Sequence, residues 1–189
     1  ELMERAAQEV SCEIISRFLP NKRIVVVAGP GNNGGDALAV ARLLFEQGYK
    51  KVEVFLFNVK GKLSHDCDEE RKKLIKIDEL DFTEIKREFN PPYLGENDVV
   101  VDGLFGSGLK QPLQGGFVAL SRYINDSGAY VISIDTPSGL FGEWNDNTSR
   151  RDMIHANLTL TFQMPRLSFF FEENADVIGE WKVLDIDLD

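Results

Sequence analysis

Two cysteines and two histidines are all that 189 residues offer of the soft metal ligands and of the side chain that titrates near neutrality. Cys12 and Cys67 are too few for a disulfide framework or a cysteine-built zinc site, so a reducing, cytoplasmic setting is the expectation. His65 and His155 stand in no catalytic pattern. Positive charge is scarce as well: 21 basic residues face 31 acidic ones, a net charge of −10, which opposes non-specific binding to nucleic acid or to an anionic membrane. No apolar run approaches the roughly 20 residues that cross a bilayer. The opening Glu1-Leu2-Met3-Glu4-Arg5 lacks the basic start and apolar centre of a signal peptide. It lies inside a helical pattern, so residues before Glu1 are expected. Neither G-x-S-x-G nor G-x-x-x-x-G-K-[ST] occurs, which leaves serine-hydrolase and P-loop chemistry without support.

Glycine, by contrast, is concentrated where it counts. The apolar run Ile24–Val27 reads as a parallel strand covered on both faces, and the segment from Ala37 to Leu44, stopped near Gly48, reads as a helix. Gly29-Pro-Gly-Asn-Asn-Gly-Gly-Asp36 joins them. Gly29, Gly31 and Gly34 keep the G-x-G-x-x-G spacing of a dinucleotide loop in its required strand–loop–helix setting. Asn32, Asn33 and Asp36 make it an unusual one. A carboxylate where a pyrophosphate would pack suggests side chains presented to hydroxyls, an amide or a cation; the competing reading is a tight turn with Asp36 as helix cap.

The rest of the chain alternates. Apolar spacing from Leu2 to Phe18 predicts an amphipathic helix over residues 2–19, and Val52–Phe57 a second strand. The charged segment 66–77 predicts a solvent-facing helix, and 81–89 another short helix closed by Asn90-Pro91-Pro92. Strands follow at 98–102 and 130–134, with a helix between them at about 116–126, and two further strands at 157–162 and 181–186. Phe169-Phe170-Phe171 reads as core or interface. The pattern predicts a single three-layer α/β/α Rossmann-like sandwich with a mainly parallel central sheet.

Three of these strands run into Gly/Asp loops, at 29–36, 102–109 and 135–139, and in an open parallel sheet such loops converge at the carboxyl ends of the strands. Asp102 and Asp135 are read as strand-terminal carboxylates projecting into the crevice beside Asp36. Asn33, Asp102 and Ser138 supply hard oxygen donors suited to a monovalent cation; a plain hydrogen-bond network is the alternative.

Gly29–Asp36, Val101-Asp-Gly-Leu-Phe-Gly-Ser-Gly-Leu109, Asp135-Thr-Pro-Ser-Gly139 and Leu2-Met-Glu-Arg-Ala6 together resemble the YjeF N-terminal domain family, which includes NAD(P)H-hydrate epimerases. The likeness spans essentially the whole chain. It implies a dimeric enzyme of metabolite repair that interconverts the R and S forms of hydrated NADH and NADPH. An ADP/ATP-dependent dehydratase, often a second domain and here expected beyond Asp189 if fused, would be its partner. Carried over by motif, Asn32, Asn33, Gly34, Gly35, Asp36, Gly106, Ser107, Gly108, Leu109, Lys110, Gln111, Pro112 and Asp135 would contact the hydrated nucleotide, and Asn33, Asp102 and Ser138 would hold potassium. The chain departs from the family pattern at Ala37, where glycine is common, and at Arg166-Leu167-Ser168, where Lys-Leu-Gly is more usual.

The chemistry asks for a carboxylate that delivers and removes a proton. Asp102 is expected to lead, with Asp135 as the other candidate and Lys60 or Lys110 assisting. A non-catalytic nucleotide-binding or dimerisation module of the same family is the second reading. An ordinary NAD-dependent oxidoreductase is the third, disfavoured because strand two ends in Asn58 and not in the acidic residue that would hold a ribose.

Overall fold

The computed structural model describes residues 1–188. Seven strands form one sheet in the order β3-β2-β1-β4-β5-β6-β7, and every neighbouring pair is parallel. The strands are β1 (Ile24–Ala28), β2 (Val52–Phe57), β3 (Asp81–Ile85), β4 (Val99–Gly103), β5 (Tyr130–Ile134), β6 (Leu158–Phe162) and β7 (Glu180–Leu184). Helices α1 (Leu2–Arg17), α2 (Asn32–Glu46) and α3 (His65–Ile75) precede the crossing to β4; α4 (Gly116–Asp126) and the short α5 (Ala175–Ile178) follow it.

The period of two along the strands divides the core. Ile24, Val26 and Ala28 of β1 join Val52, Val54, Val99, Val101 and the buried faces of α1 and α2 in one apolar layer. Val25 and Val27 point the other way, into a layer with Val100, Val131, and Leu120 and Ile124 of α4. β1 and β4 are therefore apolar on both faces, which is why they read as unbroken Val/Ile runs in the sequence.

One expectation fails. Residues 81–85 form not a helix but the edge strand β3, pairing with β2 from Glu53↔Asp81 to Phe57↔Ile85. Asp81 and Thr83 are exposed while Phe82 and Ile85 turn inward, a half-buried alternation too short and too charged to announce itself. Acidic side chains along such an edge also discourage a further strand from adding to it. The remaining elements fall within two residues of their expected limits, apart from the helix α2, which begins at Asn32 inside the glycine loop. Asp36 is thus in the body of that helix, and Gly31 is its cap.

The sheet reverses its winding between β1 and β4, the position where open α/β sheets bind ligands. Among the described residues no helix is long and apolar enough to cross a membrane.

Candidate active site

At that switch point the loops after β1, β4 and β5 enclose a cleft of about 700 Å³. Its wall includes Asn32, Asn33 and Asp36 from the start of α2, the run Gly106 to Gln111, Asp135, and Arg166 from beyond β6. Of the expected contact residues, Gly34, Gly35 and Pro112 do not line it. A methyl on Gly34 would stand 1.7 Å from the Gly29 carbonyl oxygen, and one on Gly35 would meet the Met3 side chain and the Cys67 backbone. These glycines let α2 lie against the loop and its neighbours. Pro112 borders a separate small cleft with Leu113, Gly139 and Met153. Lys60 is exposed and outside the wall, whereas Lys110 is part of it. His155 lies elsewhere, with its Nε2 at 2.8 Å from the Arg150 carbonyl oxygen.

Asp102 and Asp135, expected to be equivalent, differ by their place on the ladder. Asp102 is inside β4, paired with Ser133 of β5, and completely buried. Its carboxylate accepts from the Ser133 hydroxyl at 2.7 Å, the Ser138 hydroxyl at 2.5 Å, the Ser138 N–H at 2.9 Å and the Leu104 N–H at 3.2 Å. Burial pushes this carboxyl up; the hydrogen bonds from Ser138, Ser133 and Leu104 oppose the rise. With four donors on its two oxygens and no exposure to the cleft, Asp102 cannot hand a proton to a ligand there. It ties the β4 loop to the Asp135–Gly139 loop, and Ser138 extends the tie by accepting from the Phe105 N–H at 2.9 Å.

Asp135 comes one residue after β5 ends. Its φ of +70° is a left-handed conformation that aspartate tolerates better than most residues but that still costs on the order of 1 kcal/mol. That turn swings the carboxylate off the sheet and into the cleft. There Oδ2 accepts from the Ser107 N–H at 2.7 Å, and Oδ1 receives Arg166 Nη2 at 2.8 Å. Gly106 makes the approach possible: a Cβ there would sit 2.7 Å from Asp135 Oδ2 and 3.4 Å from the Asn33 amide carbon.

Asp36 completes the set. Its carboxyl is pushed up to about 7, first by burial and then by the charges of Asp135, Asp66 and Glu70. A carboxyl that titrates near neutrality can both give and take a proton, which an ordinary aspartate cannot do at that pH.

Two side chains fit a monovalent cation. The Asn33 amide has both its oxygen and nitrogen buried without a hydrogen-bond partner, and the buried Asp102 carboxylate forms no ion pair among the described residues. Buried amide atoms without partners are costly, and a cation on the Asn33 oxygen would relieve that cost while its charge favoured a buried carboxylate. No three His, Cys, Asp or Glu side chains converge as a metal cluster among the described residues.

Arg166 is the site residue that motif reasoning did not assign. It was visible only as a departure from the family pattern. Ala37, the other departure, is fully buried, its methyl close over Gly103, and does not line the cleft.

Comparison with known proteins follows the same outline. The family model described as YjeF-related protein N-terminus matches residues 1–168. A protein of Limosilactobacillus fermentum named NAD(P)H-hydrate epimerase is 31% identical over 97% of this chain and 84% of its own length. One of the same name from Roseobacter litoralis is 34% identical over 88% of this chain and 80% of its own. A bifunctional NAD(P)H-hydrate repair enzyme of Dictyoglomus turgidum is 33% identical over 95% of this chain, which spans only 34% of that longer protein. The crystal structure of the yeast protein ynu0 superposes with a TM-score of 0.76 at 24% identity, covering 97% of this chain and 77% of that one, a likeness of fold.

Proposed function

The chain belongs to the YjeF-related N-terminal family, and on that premise we propose that it is an isomerase, an NAD(P)H-hydrate epimerase that interconverts the R and S forms of hydrated NADH and NADPH. The observation that carries the reading is the pairing of Asp36 and Asp135 in one cleft at the sheet's switch point.

The hydrate carries its hydroxyl on a carbon next to the ring nitrogen. Proton donation to that hydroxyl lets the C–O bond break with loss of water, while the nitrogen lone pair forms the C=N bond of an iminium. Water then adds to the opposite face and gives up a proton, which restores the acid. Asp36 is suited to hold this proton in both directions, because its carboxyl stands near 7. Asp135, anchored by the Ser107 N–H and Arg166, supplies the fixed negative charge that stabilises the cationic iminium. The N–H groups of the first turn of α2 and the loop from Gly106 to Gln111 offer donors for the nucleotide's phosphates and hydroxyls. The role first assigned to Asp102 passes to these two carboxylates, for Asp102 is enclosed beneath the loops.

Potassium is the cofactor in this reading. Asn33, Asp102 and Ser138 would hold it, and its charge would offset the buried Asp102 carboxylate and firm the loops that carry Ser107 and Asp135. The family resemblance also carries a homodimer, to be read by sedimentation equilibrium, and a dehydratase as functional partner. The longer bifunctional relatives are consistent with the latter.

The test is to mix the protein with the R epimer of hydrated NADPH in potassium buffer and separate the epimers chromatographically over time, against a no-protein control. Faster approach to the epimer equilibrium, lost in Asp36→Asn and in Asp135→Asn, supports the reading. A folded protein with no effect on the rate overturns it and leaves the non-catalytic nucleotide-binding module in its place.

A further inference from the structure

The segment that departs from the family pattern is anchored more firmly than a surface loop needs to be. Gln163, at the end of β6, adopts a φ of +62°, and its side chain accepts from the Ile186 N–H at 2.7 Å, fixing the turn to the chain beyond β7. On the other side of Arg166, the Ser168 N–H donates to the Gly142 carbonyl at 3.0 Å, and the fully buried Asn174 donates to the Ser168 carbonyl at 2.9 Å. Arg150 Nε in turn donates to Asn174 Oδ1 at 2.8 Å. The backbone at Arg166 is therefore held from both directions before its side chain is considered.

That side chain has one hydrogen bond among the described residues, from Nη2 to Asp135 Oδ1, and its Nε is buried without a partner. Asp135 needs such an anchor. It sits in a left-handed conformation beyond the end of its strand, and its other oxygen is held only by the Ser107 N–H of a glycine-flanked loop. Removing either contact leaves the carboxylate held by a single hydrogen bond.

We propose that Arg166 is a positioning residue for the epimerisation: from a braced loop it orients Asp135, and through that carboxylate the Ser107 loop, for the reacting ring. An arginine serves where the family more often has lysine because its planar guanidinium fixes a direction as well as a charge. The Arg166–Asp135 pair is partly exposed, with side-chain accessibilities of 31% and 14%, so its value lies in geometry more than in stability.

For its rates this rests on the epimerase reading, so the experiment has a readout that does not. In Arg166→Gln the amide hydrogen of Ser107, followed by NMR exchange, is expected to exchange at least about tenfold faster than in the unaltered protein, with Arg166→Lys in between. Unchanged exchange overturns the proposal whether or not the protein epimerises anything. On the rate side, Arg166→Gln is expected to lower kcat about tenfold or more with KM changed less than about threefold, Arg166→Lys to recover part of the loss, and Arg166→Gln with Asp135→Asn to be no slower than Asp135→Asn alone. A loss confined to KM makes Arg166 a substrate clamp and overturns the positioning role, as do additive losses in the double variant. If the unaltered protein fails to epimerise, the functional reading falls and the exchange result alone decides the structural claim.

Discussion

Ser133 of β5 donates its hydroxyl to Asp102 of β4 at 2.7 Å, directly across the pairing of the two strands. This contact separates the two carboxylates that the sequence makes look alike. Asp102 is committed to the sheet, and the residue two places beyond Ser133, Asp135, is the one delivered to the cleft.

Replacing Asp102 by Asn is accordingly a stability experiment. The amide turns an acceptor into a donor facing hydroxyl and N–H groups, which costs about 3 kcal/mol. Thermal denaturation is expected to show a clear fall in Tm, with epimerisation lost alongside it. Asp135→Asn is expected to lose epimerisation at nearly unchanged Tm. Equal Tm values for the two variants would contradict the division of roles.

Asp36 should leave a pH signature. Its carboxyl stands at about 7 in the fold against the usual value near 4 in an unfolded chain. The folded state therefore binds the extra proton between those values, and stability present below about pH 4 is lost as pH rises to about 7. The amount is on the order of 2–4 kcal/mol. Asp36→Asn, which cannot ionise, is expected to flatten this decline in urea denaturation between pH 5 and 8, and to lower kcat by about a hundredfold or more. A stability profile with the same slope in the variant would remove Asp36 as the neutral-pH group.

Gly106→Ala tests the close approach in the cleft. Its methyl would stand 2.7 Å from Asp135 Oδ2, so the carboxylate must move while the core is untouched. A loss of about tenfold or more in kcat with little change in Tm is expected. Gly34→Ala has the opposite profile. Backbone lies 1.7 Å from the added methyl, and a stability loss of about 3 kcal/mol is expected in denaturant titration.

Potassium is tested without catalysis. If Asn33, Asp102 and Ser138 hold the ion, Tm rises as potassium replaces tetramethylammonium at constant ionic strength, by an amount that corresponds to about 2.7 kcal/mol at a hundredfold excess over Kd. Asn33→Ala is expected to abolish the rise. A Tm indifferent to the cation would leave Asp102 and Ser138 as a plain hydrogen-bond network.

Much of this protein was determined by the sequence alone. The doubly apolar runs of β1 and β4, the alternation of strand and helix, and the three Gly/Asp loops are local patterns, and local patterns carry the parallel sandwich and the loops that wall the cleft, though not every residue in it. Tertiary structure decided what depends on neighbours. Residues 81–85 became a strand because the edge of β2 was there to pair with, an interaction no five-residue window contains. Asp102 and Asp135 parted because strand register fixes which carboxylate is enclosed, and a shift of one residue past the end of a strand changes both environment and direction. Arg166 entered the site from the far end of β6, 31 residues from Asp135 in the chain, where only the folding of the sheet brings the two charges within 2.8 Å.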